Sequence, residues 1–265
     1  MEKSKRLRDR HRSLAPCRSW EDCYQHQLDV PSQLPKRNAR LQKMMAERLA
    51  SFLPKVVPNQ VLEIGCGTGL FTKHLLAHQI KKIILNDISD EMVKCLQTKL
   101  SLPRSSKIMI GNAEAMEFQL VDMITANAVF QWFKAPGETL RLLNSYVNPD
   151  GKLIFSTFGP ATLAEFRKTA SVESPALLLS FNKWKKLIEN AGFSLNSSVS
   201  EINKSFYTST LSLLKNLQQL GAAPIRISSS AGLRHLIRDY DENFSTNQGV
   251  YATWELFYFS AINKP

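Results

Sequence analysis

The residues best suited to chemistry lie in and just beyond one stretch, VLEIGCGTGLF, from Val61 to Phe71. Gly65, Gly67 and Gly69 stand at alternate positions, with Glu63 two residues ahead of the first and Asp87 further along the chain. Glycine tolerates left-handed φ and lets a ligand approach the backbone closely, and a helix starting at such a turn presents N–H donors. The spacing is not G-x-G-x-x-G, and no Lys-Ser or Lys-Thr follows to complete a phosphate loop, so a phosphate is not the first ligand to expect. Asp87 lies about twenty residues beyond the turn, where a carboxylate takes both hydroxyls of a ribose and disfavours a 2′-phosphate.

These residues need a frame. Val61, Leu62 and Ile64 read as a buried strand, and Leu70 to Gln79 as the start of a helix. Four more strands are predicted at Lys81 to Asp87, Lys107 to Asn112, Asp122 to Asn127 and Lys152 to Phe158. Between them, Ser89 caps one helix and Pro136 opens another. Short apolar runs alternating with helices predict a doubly wound, mostly parallel α/β sheet, whose ligands bind outside the carboxyl ends of the strands. Those ends carry Glu63, Asp87, Asn112, Asn127 and Thr157. Beyond Phe158, helices are expected at Ala161 to Val172, Phe181 to Phe193, Thr208 to Gly221 and Ser229 to Phe244, and a long final strand at Gly249 to Ile262. The second of these helices belongs to the outer layer of the sheet. The others form a lid above the strand ends, so the expected organisation is a basic arm over 1–40 and one domain over 41–265, with lid segments at about 160–180 and 208–245.

The chain of 265 residues carries 34 Lys and Arg against 23 Asp and Glu, a net charge of +11, which favours an acidic partner. Cys17, Cys23, Cys66 and Cys95 form no C-x-x-C pair, which suits a reducing, cytoplasmic compartment, and no metal-ligand set is expected. The basic N-terminal run lacks the apolar centre of a signal peptide, and no segment reaches eighteen uninterrupted apolar residues, so no membrane association is expected.

An acidic residue two before G-x-G-x-G, an Asp after the second strand and a polar pair after the third together resemble the class I S-adenosylmethionine-dependent methyltransferases, over about Val61 to Phe158. The resemblance implies a seven-stranded sheet and S-adenosylmethionine as cofactor. It implies that the glycine turn with Glu63 lies against the methionine part, Asp87 holds the ribose and Met92 packs on the adenine. Asn112 and Ala113 would border the adenine edge, and Asn127 would offer its backbone near the sulfonium. Asn112 departs from the Asp that often stands there.

NAVFQWF (Asn127 to Phe133), FSTFGPATLAEF (Phe155 to Phe166), LQQLGA (Leu217 to Ala222) and NQGVYATWELFYF (Asn247 to Phe259) extend the resemblance, from about Gln42 to Phe259, to the malonyl-acyl-carrier-protein O-methyltransferases of biotin synthesis. That family methylates the free carboxylate of a malonyl thioester carried on acyl carrier protein. A carboxylate is already ionised at about pH 7, so no general base is required and the task is to orient it. Gln131 and Trp132 are expected to wall the methyl site, with Ser156 and Thr157 beside them. Arg234 is the expected partner of the malonyl carboxylate and Arg238 the alternative. The family's tyrosine shortly before its Gln-x-x-Met-Ala stretch, here Gln42 to Ala46, is replaced by Pro35 and Lys36, and the nearby tyrosine is Tyr24. Alternative readings are a cofactor-binding assembly factor, a small-molecule methyltransferase, or a nucleic-acid methyltransferase. For the last, NAVF lacks the Asn/Asp-Pro-Pro-aromatic loop that serves a flipped base, so no nucleic-acid partner is expected.

Overall fold

The computed structural model describes residues 39–219 and 230–264; the basic arm with Tyr24, Pro35 and Lys36, and the expected helix end at Gly221, lie outside the described residues. Helix α1 (Ala39–Ala50) is followed by β1 (Gln60–Ile64), α2 (Thr72–Leu76), β2 (Lys82–Asp87), α3 (Asp90–Lys99), β3 (Lys107–Ile110) and β4 (Val121–Asn127). A single turn of 3₁₀-helix (Phe130–Trp132), α4 (Pro136–Ser145) and β5 (Val147–Phe158) complete the parallel half. Then come α5 (Ala164–Ala170), α6 (Phe181–Asn190), β6 (Phe193–Tyr207), α7 (Thr210–Gln219), α8 (Ser230–Phe244), the two-residue β7 (Ser245–Thr246) and β8 (Gly249–Asn263).

The strands form one sheet in the order β3-β2-β1-β4-β5-β8-β6, with β7 pairing on β8. Strands β1 to β5 are mutually parallel, while β8 runs antiparallel between β5 and β6. The order reverses at β1, between β2 and β4, so the glycine turn and the loop after β4 open onto one crevice, as expected of a doubly wound sheet. Each face buries its own core. Val61, Met45, Leu49, Phe71 and Leu75 share one cluster with Leu163, Phe166, Leu213, Leu217, Leu236 and Tyr240 of α5, α7 and α8. On the other face Leu62, Ile64, Phe130, Phe155, Trp184 and Ile188 pack together. Trp184 seats α6 in this outer layer, as expected.

Local signals account for most boundaries. The Ser89 hydroxyl accepts from the Met92 N–H at 3.3 Å at the start of α3, and Pro136 occupies the first turn of α4. Gly192 ends α6 at φ +92°. The helix expected over Leu70 to Gln79 is corrected to the five residues Thr72–Leu76. The turn stays left-handed through Gly69, at φ +85°, which delays the first helical residue. Strand β6 carries no strong periodic signal because it is an edge strand, with Ile202 and Phe206 facing out at 59% and 44% exposure.

Candidate active site

The glycine turn is built largely by the protein's own needs. A Cβ on Gly65 would stand 2.3 Å from Val129 Cγ2, and one on Gly69 would stand 2.5 Å from Leu100 Cδ1. These two glycines let the loop after β4 and the end of α3 close onto the turn. Gly67 differs: at φ +52°, a Cβ there would meet nothing within 4 Å. The N–H groups of Cys66 and Gly69 bond Asn86 O and Cys66 O, both at 2.9 Å. The Gly67 N–H donates to Asp87 Oδ2 at 2.7 Å. Part of the donor set expected at this turn is therefore engaged internally.

Asp87 ends β2, and its other oxygen accepts from the Ser89 N–H at 2.9 Å. It is 9% exposed. Burial raises its pKa, opposed by the hydrogen bonds from the Ser89, Gly67 and Ile88 N–H groups. Glu63, 1% exposed, lies beneath the same turn. Burial pushes its pKa up to about 8, the Thr72 hydroxyl opposes this and the Asp87 charge adds to it. Glu63 Oε2 finds no hydrogen-bond partner of good geometry within the protein, the Thr72 hydroxyl lying near it without completing one. A carboxyl group raised in pKa by burial, an unsatisfied oxygen and a buried aspartate at the ends of neighbouring strands are features of a site built for a polar, cationic ligand.

A cleft of about 410 Å³, counting its open mouth, continues from this point. Gly65, Asp87, Asn112, Ala113 and Trp132 line it, together with Asn86, Ile88, Val129 and Phe133. The structure thus brings together five of the residues singled out in the sequence, with an apolar wall suited to a flat heterocycle. Met92 does not line this cleft and is half-buried on α3. Asn112 also shapes its own turn, its Oδ1 accepting from the Glu114 N–H at 3.0 Å.

The loop after β4 is held by a polar network. Ser156 Oγ donates to Asn127 Oδ1 at 2.8 Å and accepts from the Ala128 N–H at 3.0 Å. Asn127 Nδ2 donates to Gln42 O of α1 at 3.4 Å. Gln131 donates to Ala128 O at 2.7 Å and accepts from the Thr157 hydroxyl at 3.1 Å. Gln131 is 3% exposed and Ser156 and Thr157 are fully buried, so these three side chains spend their polar groups on fixing Ala128. Ala128 sits at φ +57°, a conformation that costs a non-glycine residue about 1–3 kcal/mol and persists only under such constraint. Arg234 is exposed on α8, as is Arg238, which pairs with Asp239 at 3.3 Å.

Two contributors escaped the sequence reading. Asn86 is buried and its amide donates to Met109 O and Gly111 O, both at 3.0 Å, tying β2 to the loop after β3. Glu114 accepts from the Lys134 and Ala135 N–H groups at 3.1 and 3.2 Å and from the Thr139 hydroxyl at 3.0 Å, anchoring the start of α4 beside the cleft. Asn86 had a visible signal, a polar residue ending an apolar strand. Glu114 had none, because its partners are 20 to 25 residues away.

The residues present fit S-adenosylmethionine, on the open backbone face at Gly67, the acidic Asp87 and the unsatisfied Glu63 oxygen. Comparisons with known proteins agree. The Methyltransferase domain model matches residues 37–223. A malonyl-[acyl-carrier protein] O-methyltransferase of Calditerrivibrio nitroreducens is 30% identical over 236 residues, covering 84% of this chain and 89% of that protein. One from Paenibacillus is 27% identical over 248 residues, covering 82% and 90%. Among solved structures, a phosphoethanolamine N-methyltransferase of Haemonchus contortus in complex with S-adenosylhomocysteine superposes with a TM-score of 0.58 at 14% identity, covering 93% of this chain and 60% of that one. An S-adenosylmethionine-dependent methyltransferase of Mesorhizobium loti gives 0.52 at 13%, covering 83% and 99%. This chain belongs to the class I S-adenosylmethionine-dependent methyltransferases and resembles the malonyl-acyl-carrier-protein O-methyltransferases, with S-adenosylmethionine as its cofactor.

Proposed function

We propose that the protein methylates the free carboxylate of a malonyl thioester borne by acyl carrier protein. The observation that carries this reading is similarity along most of the chain to proteins named for that reaction. The roof accords with it: α8 packs against both α5 and α7, and all three pack on β8, beside the carboxyl end of β5. The Ala161 N–H bonds Glu255 Oε2 at 2.7 Å, and Glu165 bonds the Thr253 hydroxyl, so α5 is fixed to β8. A narrow substrate on a flexible pantetheine arm suits such a covered site.

In this reading Asp87 holds the ribose, Asn112 and Ala113 border the adenine, and Glu63 and Gly67 face the methionine end. When bound, S-adenosylmethionine supplies an electrophilic methyl group, and its carbon–sulfur bond breaks as the new oxygen–carbon bond forms. Trp132 would wall the crevice against water. The network of Gln131, Ser156 and Thr157 would act through Ala128, holding the backbone beside the methyl group in one position. No side chain need remove a proton, since the attacking carboxylate is ionised at about pH 7. Acyl carrier proteins are acidic, which the +11 net charge complements.

The test is methyl transfer from labelled S-adenosylmethionine to malonyl carrier protein, free malonate and tRNA in parallel. Transfer to the first alone supports the proposal. Cofactor binding without transfer to any of the three would favour a cofactor-binding assembly factor instead.

A further inference from the structure

Among the described residues, seven buried side-chain polar atoms lack a hydrogen-bond partner: Glu63 Oε2, Thr72 Oγ1, His74 Nε2, Ser106 Oγ, Trp184 Nε1, Trp254 Nε1 and Tyr258 Oη. A buried donor left unpaired costs about 1–3 kcal/mol, so each needs a reason. Glu63 and Thr72 belong to the glycine turn. Trp184 is enclosed by Phe130 and Phe155 on the far face of the sheet, with ring centroids at 6.1 and 5.8 Å. Tyr258 stacks on Phe52 at 5.8 Å, with the Arg48 guanidinium over its ring, and pairs in register with Ser156 within the sheet. Trp254 is placed differently.

Strand β5 ends at Phe158, which pairs with Leu256, so Trp254 lies two residues beyond the last β5 partner, past the carboxyl edge of the parallel sheet. It shares the cluster on the roof side with Leu213, Leu217, Leu236 and Tyr240. It is only 3% exposed. The Phe158 ring, next in sequence to Thr157, stands 5.9 Å from the Trp254 ring. Across the strand pair, Trp254 faces Asn203, whose amide donates to Met44 Sδ of α1 at 3.3 Å. Tyr207, four residues along β6 and thus on the same face, carries its hydroxyl beside Trp254. Burial raises the Tyr207 pKa, opposed by the Ser205 hydroxyl and by the Trp254 N–H, which approaches the Tyr207 oxygen without reaching hydrogen-bond geometry. The Tyr207 hydroxyl donates to Asn216 Oδ1 of α7 at 3.3 Å.

We propose that Trp254 Nε1–H is a substrate-binding donor that takes an oxygen of the acyl group's carboxylate under the roof, the Tyr207 proton beside it being engaged by Asn216. This rests on the carboxyl methyl transfer proposed above and gives this neutral group the task that the sequence suggested for Arg234, which the structure leaves exposed. The chemistry favours neutral donors. An attacking carboxylate stripped of water needs hydrogen bonds to replace its hydration, yet a full ion pair would hold the same electrons that must form the new bond. An indole N–H solvates one oxygen and leaves the other nucleophilic. The ester product has lost the charge, so its hydrogen bond to the same donor is weaker and release is assisted.

The test uses the intact protein with S-adenosylhomocysteine in place of the reactive cofactor and malonyl-pantetheine as probe. In ¹⁵N spectra the chain presents four indole N–H signals, one for each tryptophan, and titration with malonyl-pantetheine should shift the Trp254 signal, while acetyl-pantetheine should leave it nearly in place. Trp254→Phe, which keeps an aromatic ring, should weaken malonyl-pantetheine binding by about tenfold or more, the loss expected for a hydrogen bond to a charged group, with S-adenosylhomocysteine affinity unchanged. Malonyl-pantetheine binding that leaves the Trp254 indole signal unmoved would overturn this assignment and leave the proposed reaction standing, a result that does not depend on how well the variant folds. Absence of malonyl-pantetheine binding would overturn both.

Discussion

The Thr157 hydroxyl donates to Gln131 Oε1 at 3.1 Å, and the amide nitrogen of the same Gln131 donates to Ala128 O at 2.7 Å. Gln131, which the sequence suggested as a wall of the methyl site, thus meets Thr157, expected beside it, and through them the end of β5 fixes the strained backbone after β4. Gln131→Leu keeps the volume but leaves Thr157 and Ala128 O unpaired, at an expected cost of about 1–3 kcal/mol. Urea denaturation should report that loss, and turnover should fall with little change in cofactor affinity. A variant as stable as the parent would show that the network does not constrain the loop.

The glycine turn predicts a contrast. Gly65→Ala drives a methyl group into Val129 Cγ2, 2.3 Å away, so it should destabilise the fold, and Val129→Ala should partly restore it. Gly67→Ala meets no atom of the protein and pays mainly for its φ of +52°, about 1 kcal/mol, so its larger effect should be on S-adenosylmethionine binding. Thermal melts and calorimetry on both variants check this. Equal effects of the two substitutions on stability and on binding would contradict it.

Asp87 supplies the clearest single contribution to affinity. Asp87→Ala should weaken S-adenosylmethionine binding by about 1.5–3 kcal/mol, the value of hydrogen bonds to a charged group. It also strips the Gly67 N–H of its acceptor. Calorimetry showing unchanged affinity would remove the ribose role.

Glu63 makes stability depend on pH. Its carboxyl titrates near about 4.3 in an unfolded chain and at about 8 in the fold, raised mainly by burial. Between those values the folded state holds a proton that the unfolded state releases, so this group's contribution to stability is complete below the lower value and is lost as pH rises through the upper one. Burial raises Asp87 in the same sense. Glu63→Gln should therefore flatten the decline in melting temperature between about pH 5 and pH 8. A cationic ligand draws the proton away, so affinity for S-adenosylmethionine should strengthen with pH in that range more than affinity for neutral-sulfur S-adenosylhomocysteine. Parallel melting curves for variant and parent would sink this account.

The parallel half of the fold is legible because its strands are buried on both faces and read as apolar runs, and because Ser89, Pro136 and Gly192 mark helix ends chemically. Edge strand β6 is not, since a half-exposed strand such as SSVSEINKSF carries no core signal. At the site, Gly67, Asp87 and Glu63 follow from residue type and spacing. What Gln131, Ser156 and Thr157 do does not follow, because their partners are set by register between β4 and β5, which residue types do not encode. Trp254 was hidden for a related reason: in GVYATWELFYF it reads as one more core aromatic, and only its place beyond Phe158 and its unpaired N–H set it apart.

The central claim is carboxyl methylation of a carrier-bound malonyl group, and the most direct measurement is the intact mass of malonyl carrier protein after incubation with the enzyme and S-adenosylmethionine. The account predicts a gain of one methyl group in place of hydrogen, removed by mild alkali as an ester is, absent with acetyl carrier protein and lost in Asp87→Ala. An unchanged malonyl carrier protein, incubated with enzyme shown by calorimetry to bind S-adenosylmethionine, would contradict it.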